Sequence, residues 1–262
     1  MYFPCPLYFW NQRFCSKMTT ASYHGRRFTL VGGAMFRSFR CLWMLEELGI
    51  PYEHIAASPQ SKTILAVNPL GKVPALVEKD LHETPYFVMY ESAAINTYLG
   101  DLVNTQQPQD KAHPMVPIPG THLRGLYEQT VSCISTELDA QGLWIHRKHE
   151  AMAKYFGRIP EAVSHAKEQF TKVNAVLTQQ IHSNSLGKFL VGNHFTAADI
   201  LYVHCLEWSV SIGWDDAWKS DAKLCEYYKT CKQRPAYQKV AALRKKEQQQ
   251  EQMMKQKQRS KL

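Results

Sequence analysis

The chain has 262 residues, 45% hydrophobic and 21% charged, with a formal net charge of +8. This is enough length for one large domain or two small ones, and the balance is that of a soluble globular protein. The charge sits at the ends. Residues 1–27 carry Arg13, Lys17, Arg26 and Arg27 with no acid, and residues 244–262 carry seven Lys or Arg against Glu247 and Glu251. The body between them is close to neutral and poorly suited to polyanions, which argues against nucleic-acid binding. No apolar run approaches the roughly 18 residues that span a bilayer, so no membrane partner is expected.

Seven cysteines (5, 15, 41, 133, 205, 225 and 231) are scattered without a C-x-x-C pair, and their number is odd. That usage fits a reducing compartment rather than a disulfide framework. His146 and His149 lack further ligands at a usable spacing, so no metal site is expected.

Residues 1–25 read as a disordered N-terminal extension. Asn11, Gln12 and Arg13 interrupt its apolar start, against a secretory signal. Sparse Arg and Ser argue against a mitochondrial presequence, although no acid precedes Glu46. Phe28–Val31 reads as a short buried strand stopped by Gly32-Gly33. A helix follows from about Arg37 to Leu48, with Leu42, Leu45 and Leu48 on one stripe and Gly49 and Pro51 closing it. A strand near Tyr52–Ala56 and a helix over Ser61–Val67 come next, then strands Ala75–Glu78 and Tyr86–Tyr90 and a helix Ser92–Gly100. This βαβ then ββα order needs a crossover helix between parallel strands.

Pro-, Gln- and Gly-rich residues 104–120 read as a linker. From Thr121 onward no strand alternation is found. Helical stretches are expected near 121–155, 160–182, 196–212, 220–232 and 235–245, so this part reads as all-α. Thr196-Ala-Ala-Asp199 ahead of Ile200-Leu201-Tyr202-Val203 has the form of a capping box, a structural feature.

The stretch Asn68-Pro-Leu-Gly-Lys-Val-Pro-Ala-Leu76, followed by Tyr90-Glu-Ser-Ala-Ala-Ile95, stands out. Pro74 lacks an N–H and belongs at the first residue of a strand. A cis bond before it would turn the Val73 backbone outward as an edge able to pair with an extended peptide. Glu91-Ser92 falls where a strand ends and a helix begins. Ser92 is a candidate N-cap there, and the helix start offers N–H groups to an anion. An ordinary hairpin followed by a capped helix fits the same spacing.

These residues closely resemble the glutathione-binding half of the cytosolic glutathione S-transferases, and the likeness runs over about residues 28–243. The first helix resembles bacterial and yeast-type members, and Phe195-Thr-Ala-Ala-Asp-Ile resembles the family's C-terminal signature. The resemblance implies an α/β thioredoxin-like N-terminal domain over 26–103, the linker 104–120, an all-α C-terminal helical domain over 121–243, and a basic tail at 244–262. It implies that Val73 pairs its backbone with the cysteinyl part of glutathione, beside Pro74. Glu91 and Ser92 would hold the γ-glutamyl end, and Lys72 would contact the glutathione backbone or a carboxylate. Thr196 and Asp199 would cap a core helix. Glutathione is then a co-substrate, with no covalently bound cofactor.

One position departs from the pattern. The residue expected to carry a hydroxyl donor for the thiol is Phe36, and no Ser, Tyr or Cys lies between Gly32 and Arg37. Three readings stay open: Ser38 takes over as donor; backbone N–H groups near Phe36 and Arg37, helped by Arg37, suffice; or glutathione binds without efficient conjugation. Cys41, one turn further in, reads as core, since a reactive cysteine belongs exposed at a helix start. Arg40 reads as a structural anchor.

The chain ends Ser260-Lys261-Leu262, the form of a peroxisomal address read by an import receptor, with Lys245–Lys257 as a solvated spacer or fraying helix. Cytoplasm is the alternative location. The expected activity is addition of the glutathione thiol to a small, apolar electrophile, a detoxification chemistry, with glutathione-dependent peroxidase activity as a variant. A non-catalytic glutathione-binding or protein-interaction module of the same fold is the alternative. By analogy a homodimer is expected.

Overall fold

Phe28, Leu30 and Val31 are buried on a strand whose successive side chains point to opposite faces, so both faces of it must be covered. The computed structural model describes residues 22–80, 87–106, 114–183 and 188–259. The expected extension therefore falls outside the described residues up to Ala21. So do Tyr86, part of the proposed linker and the Ser260-Lys261-Leu262 tripeptide.

Strand β1 (Arg26–Val31) leads through the loop Gly32–Arg37 into α1 (Ser38–Leu48). Gly49 ends that helix in the left-handed region at φ 66°, where the lack of a Cβ removes the steric cost. Strand β2 (Tyr52–Ile55) pairs parallel with β1, with Phe28 opposite Tyr52 and Val31 opposite Ile55. A single turn, α2 (Lys62–Leu65), is capped by Ser61, whose hydroxyl accepts from the Ile64 N–H.

Strand β3 (Ala75–Asp80) runs antiparallel to β1, and β4 (Phe87–Tyr90) antiparallel to β3, giving the order β2-β1-β3-β4. Val31, Ala75 and Val77 form one apolar cluster with Ile64 of α2 and with Ala57, which follows β2. Phe28, Leu30 and Leu76 alternate with them and are buried on the other face. The expected mixed sheet with a crossover helix is what forms.

Helix α3 (Ser92–Gln106) continues past Gly100, where the sequence reading ended it, because Leu102 and Val103 are buried and extend its apolar stripe. The remaining chain holds no strand among its described residues. Helix α4 (His122–Cys133) starts at Thr121, whose hydroxyl accepts from Arg124 N–H. It widens into a π-helical stretch Ile134–Leu143, returns to α over α5 (Trp144–His146), widens again over Arg147–Ala151, and resumes as α6 (Ala153–Phe156). The stretch read as one helix over 121–155 is thus a run of α and π segments.

Helices α7 (Pro160–Ser183), α8 (Ala197–Ser211), α9 (Ala222–Lys232) and α10 (Pro235–Arg259) complete the chain. The last is the main surprise: it continues well past residue 245. By packing the chain divides into two units. One runs up to Leu99 and takes in the segment from Gln238 onward; the other is Gly100–Tyr237.

The second unit is built around α8, of which Ala197–Leu206 is buried throughout. Asp199 is wholly buried and accepts four hydrogen bonds. Its Oδ2 takes the Thr196 N–H at 2.8 Å and the Thr196 hydroxyl at 3.0 Å, and its Oδ1 takes the Leu190 N–H at 3.0 Å and the Tyr227 hydroxyl at 2.8 Å. Burial pushes this carboxyl above the usual carboxylate range, while the four donors pull the other way. The sequence motif therefore does more than cap a helix: it ties α8 to the segment before it and to α9.

Candidate active site

The stretch singled out in the sequence begins at Asn68, a buried side chain that shapes its own loop. The Asn68 amide donates to the Lys72 carbonyl at 2.8 Å, and its Oδ1 accepts from Leu70 N–H at 3.0 Å. Gly71 takes φ 64°, and its carbonyl accepts from Gln60 N–H at 2.8 Å. Lys72 is left exposed. The Val73–Pro74 peptide bond is cis, and no hydrogen bond engages the Val73 backbone among the described residues.

Ala75 then pairs with Tyr90, so one step beyond that pair stand Pro74 and Glu91. The register alone brings the Val-Pro step to the Glu-Ser step. Glu91 is exposed with φ 75°, a conformation that costs a non-glycine residue roughly 1–2 kcal/mol. Its carbonyl accepts from Ile95 N–H at 2.9 Å, so Glu91 flanks the helix and Ser92 is the first residue inside it. The cap role expected of Ser92 therefore falls to Glu91. The buried Ser92 hydroxyl instead accepts from Arg40 Nη1 at 3.3 Å.

Helix α1 draws these parts together. Arg40, 2% exposed, reaches Ser92, and its carbonyl accepts from the Asn96 amide at 3.4 Å. Ser38 is fully buried, and its hydroxyl has no hydrogen-bond partner among the described residues. It lies under the loop: a Cβ on Gly32 would meet Ser38 Oγ at 2.2 Å and Val73 Cβ at 2.9 Å. Only glycine fits there, and its φ of 138° adds a second reason. Arg37 and Phe36 are half-buried in the turn that precedes the helix, where Phe36 N–H bonds to the Gly33 carbonyl at 3.1 Å. Burial pushes the Cys41 thiol far up, with the neighbouring Arg40 guanidinium a weaker opposing influence, so it is no nucleophile.

Two residues of this region went unnoticed in the sequence. His54 on β2 donates from Nε2 to the Gly32 carbonyl at 2.9 Å, since a carbonyl can only accept. Glu247 on α10 accepts the Ala34 N–H at 2.8 Å, and its other oxygen lies 3.6 Å from His54 Nδ1. The Ala34–Glu247 contact joins positions 213 residues apart, and a Gln- and Lys-rich helix gives no local signal for it.

The model of the glutathione S-transferase N-terminal domain matches residues 36–102, and that of the C-terminal domain matches residues 148–247. Together these cover well over half of the chain. It belongs to the glutathione S-transferase family. The N-terminal match starts at Phe36 and leaves out the loop Gly32–Met35.

Solved structures of similar fold include glutathione transferase URE2P6 from Phanerochaete chrysosporium, in complex with oxidised glutathione. It is 24% identical over 85% of this chain and 98% of that one, at a TM-score of 0.67. Ure2p5 from the same organism, cocrystallised with 1-(S-glutathionyl)-2,4-dinitrobenzene, is 19% identical over 87% and 99%, at 0.68. Glutathione transferase F2 from Populus trichocarpa is 20% identical over 84% and 99%, at 0.66. At these identities the likeness concerns the glutathione S-transferase fold. Among the described residues no group of three or more His, Cys, Asp or Glu is placed to hold a metal, and no helix is long and apolar enough to cross a membrane.

Proposed function

We propose that this protein binds glutathione along the Val73 edge and adds its thiol to a small, apolar electrophile. The observation that carries the reading is the meeting of the unengaged Val73 backbone with Glu91 and Ser92, set by the β3–β4 register. An extended peptide pairs with such an edge through its main chain. Exposed Lys72 suits a carboxylate of the tripeptide. Glu91, at the start of α3, suits its amino end, and the first N–H groups of α3 suit its α-carboxylate.

In this reading the thiol lies over the loop that leads into α1. The helix start and Arg37 favour the thiolate, the form that attacks electrophiles. Ser38 is sealed beneath Gly32, so backbone N–H groups take the donor's part. The same thiolate would reduce an organic peroxide, the variant activity. A second reading, a glutathione-binding module without turnover, is favoured by one observation: Phe36 stands where the hydroxyl is expected. Homodimer formation and peroxisomal import through Ser260-Lys261-Leu262 are part of the proposal.

Purified protein tested with glutathione and a chromogenic electrophile, or a cumene-type peroxide, separates the readings, with Glu91→Ala as control. Turnover lost in Glu91→Ala supports the transferase. Binding without turnover leaves the module. No retention on immobilised glutathione removes both.

A further inference from the structure

Glu247 is bonded where the proposed chemistry needs a vacancy. Its Oε2 accepts the Ala34 N–H at 2.8 Å, within the loop joining β1 to α1. A Cβ on Gly33 would come within 3.3 Å of the same oxygen, so the missing side chain leaves room for the carboxylate. The side chain is 13% exposed. Its Oε1 lies 3.6 Å from His54 Nδ1 and makes no hydrogen bond among the described residues.

The helix that carries it is held by its earlier turns. Lys239 Nζ pairs with Glu46 at 2.8 Å, Val240 is buried, and the Arg244 guanidinium lies 4.5 Å over the Phe39 ring. Beyond Glu247, Gln248, Gln249 and Gln250 are exposed.

Resting on the glutathione reading above, we propose that Glu247 is an autoinhibitory occupant of the thiol end of the site. It holds the Ala34 N–H that a thiolate would use and must be displaced before glutathione is activated. A carboxylate and a thiolate compete for one donor, and each disfavours the other's charge. The same argument excludes Glu247 as the base. Its negative charge disfavours a thiolate beside it, and so keeps the proton on the sulfur rather than drawing it off. Displacement exchanges that charge-assisted hydrogen bond for hydration, a cost on the scale of one such bond.

The test uses the full chain and compares wild type with Glu247→Ala, Glu247→Gln and, at an exposed neighbour, Gln248→Ala. Glutathione binding is measured by calorimetry, and ionisation of the bound thiol by its thiolate absorbance against pH. Glu247→Ala is expected to bind glutathione about tenfold more tightly, the scale of one charge-assisted hydrogen bond, and to ionise the thiol at lower pH. Glu247→Gln, which keeps an acceptor without the charge, falls between, and Gln248→Ala matches wild type. Equal or weaker binding by Glu247→Ala, with wild type still binding, overturns the autoinhibition alone. Binding by neither protein overturns the glutathione reading as well, and unchanged ionisation in a tighter-binding Glu247→Ala overturns the competition for the donor.

Discussion

Two carboxylates, Asp199 in the helical unit and Glu247 in the sheet unit, are treated in opposite ways. Asp199 is fully enclosed, and both its oxygens are saturated by four donors. Glu247 is nearly enclosed yet accepts one hydrogen bond among the described residues, its other oxygen standing 3.6 Å from His54 Nδ1. A buried acid with every lone-pair direction filled is costly to disturb and serves the fold. One held by a single N–H at a loop is exchangeable.

The largest expected effect breaks the saturated side of this contrast. Asp199→Ala strands two backbone N–H groups and two hydroxyls in the interior, and should cost about 3–5 kcal/mol in urea unfolding. A loss under about 1 kcal/mol would mean the network is not what holds α8.

Gly32→Ala attacks the loop instead. Its methyl meets Ser38 Oγ at 2.2 Å at a φ of 138°, so about 1–3 kcal/mol of stability should be lost, along with glutathione binding. Unchanged binding would separate this loop from the site. Glu91→Gly sharpens the comparison, because stability and binding should move apart. Relief at φ 75° is expected to raise stability by about 1 kcal/mol, while glutathione retention falls. Parallel changes in both would make Glu91 a purely structural residue.

The smallest effect concerns Asp221, which caps α9 by accepting from Leu224 N–H at 2.8 Å. Burial raises its pKa, but the Leu224 N–H and His182 outweigh it, and the carboxyl is held below its ordinary range. A carboxyl lowered by folding stabilises above its unfolded pKa of about 3.9, and that contribution fades as pH falls through the folded value. Asp221→Asn keeps the cap without titrating. The wild type's advantage over it in thermal unfolding should be present at pH 6 and vanish in acid.

Much of the fold was legible locally. The β1 and β3 runs, the Leu42-Leu45-Leu48 stripe, the stop at Gly49 and the Thr196–Asp199 motif each carry their signal within a few residues. So does the pairing of Val73-Pro74 with Glu91-Ser92, since a short hairpin fixes its own register. Other features were not. Helix α3 runs on through Gly100 because Leu102 and Val103 are buried, and a single glycine is a weaker term than that burial. Ser38 as donor was one of three readings left open; its enclosure under Gly32 and Val73 depends on how three separate segments pack.

The amino-acid order by itself determined the alternation of strands and helices, the meeting of the Val73-Pro74 and Glu91-Ser92 steps and the family of this protein, because periodicity, turn residues and caps act over short spans of chain. Only the tertiary structure decided that Ser92 serves Arg40 rather than a cap, and that Ser38 is closed off. It alone brought a glutamate 213 positions away onto the Ala34 amide. Those outcomes follow from which buried polar groups find partners, and packing alone sets that.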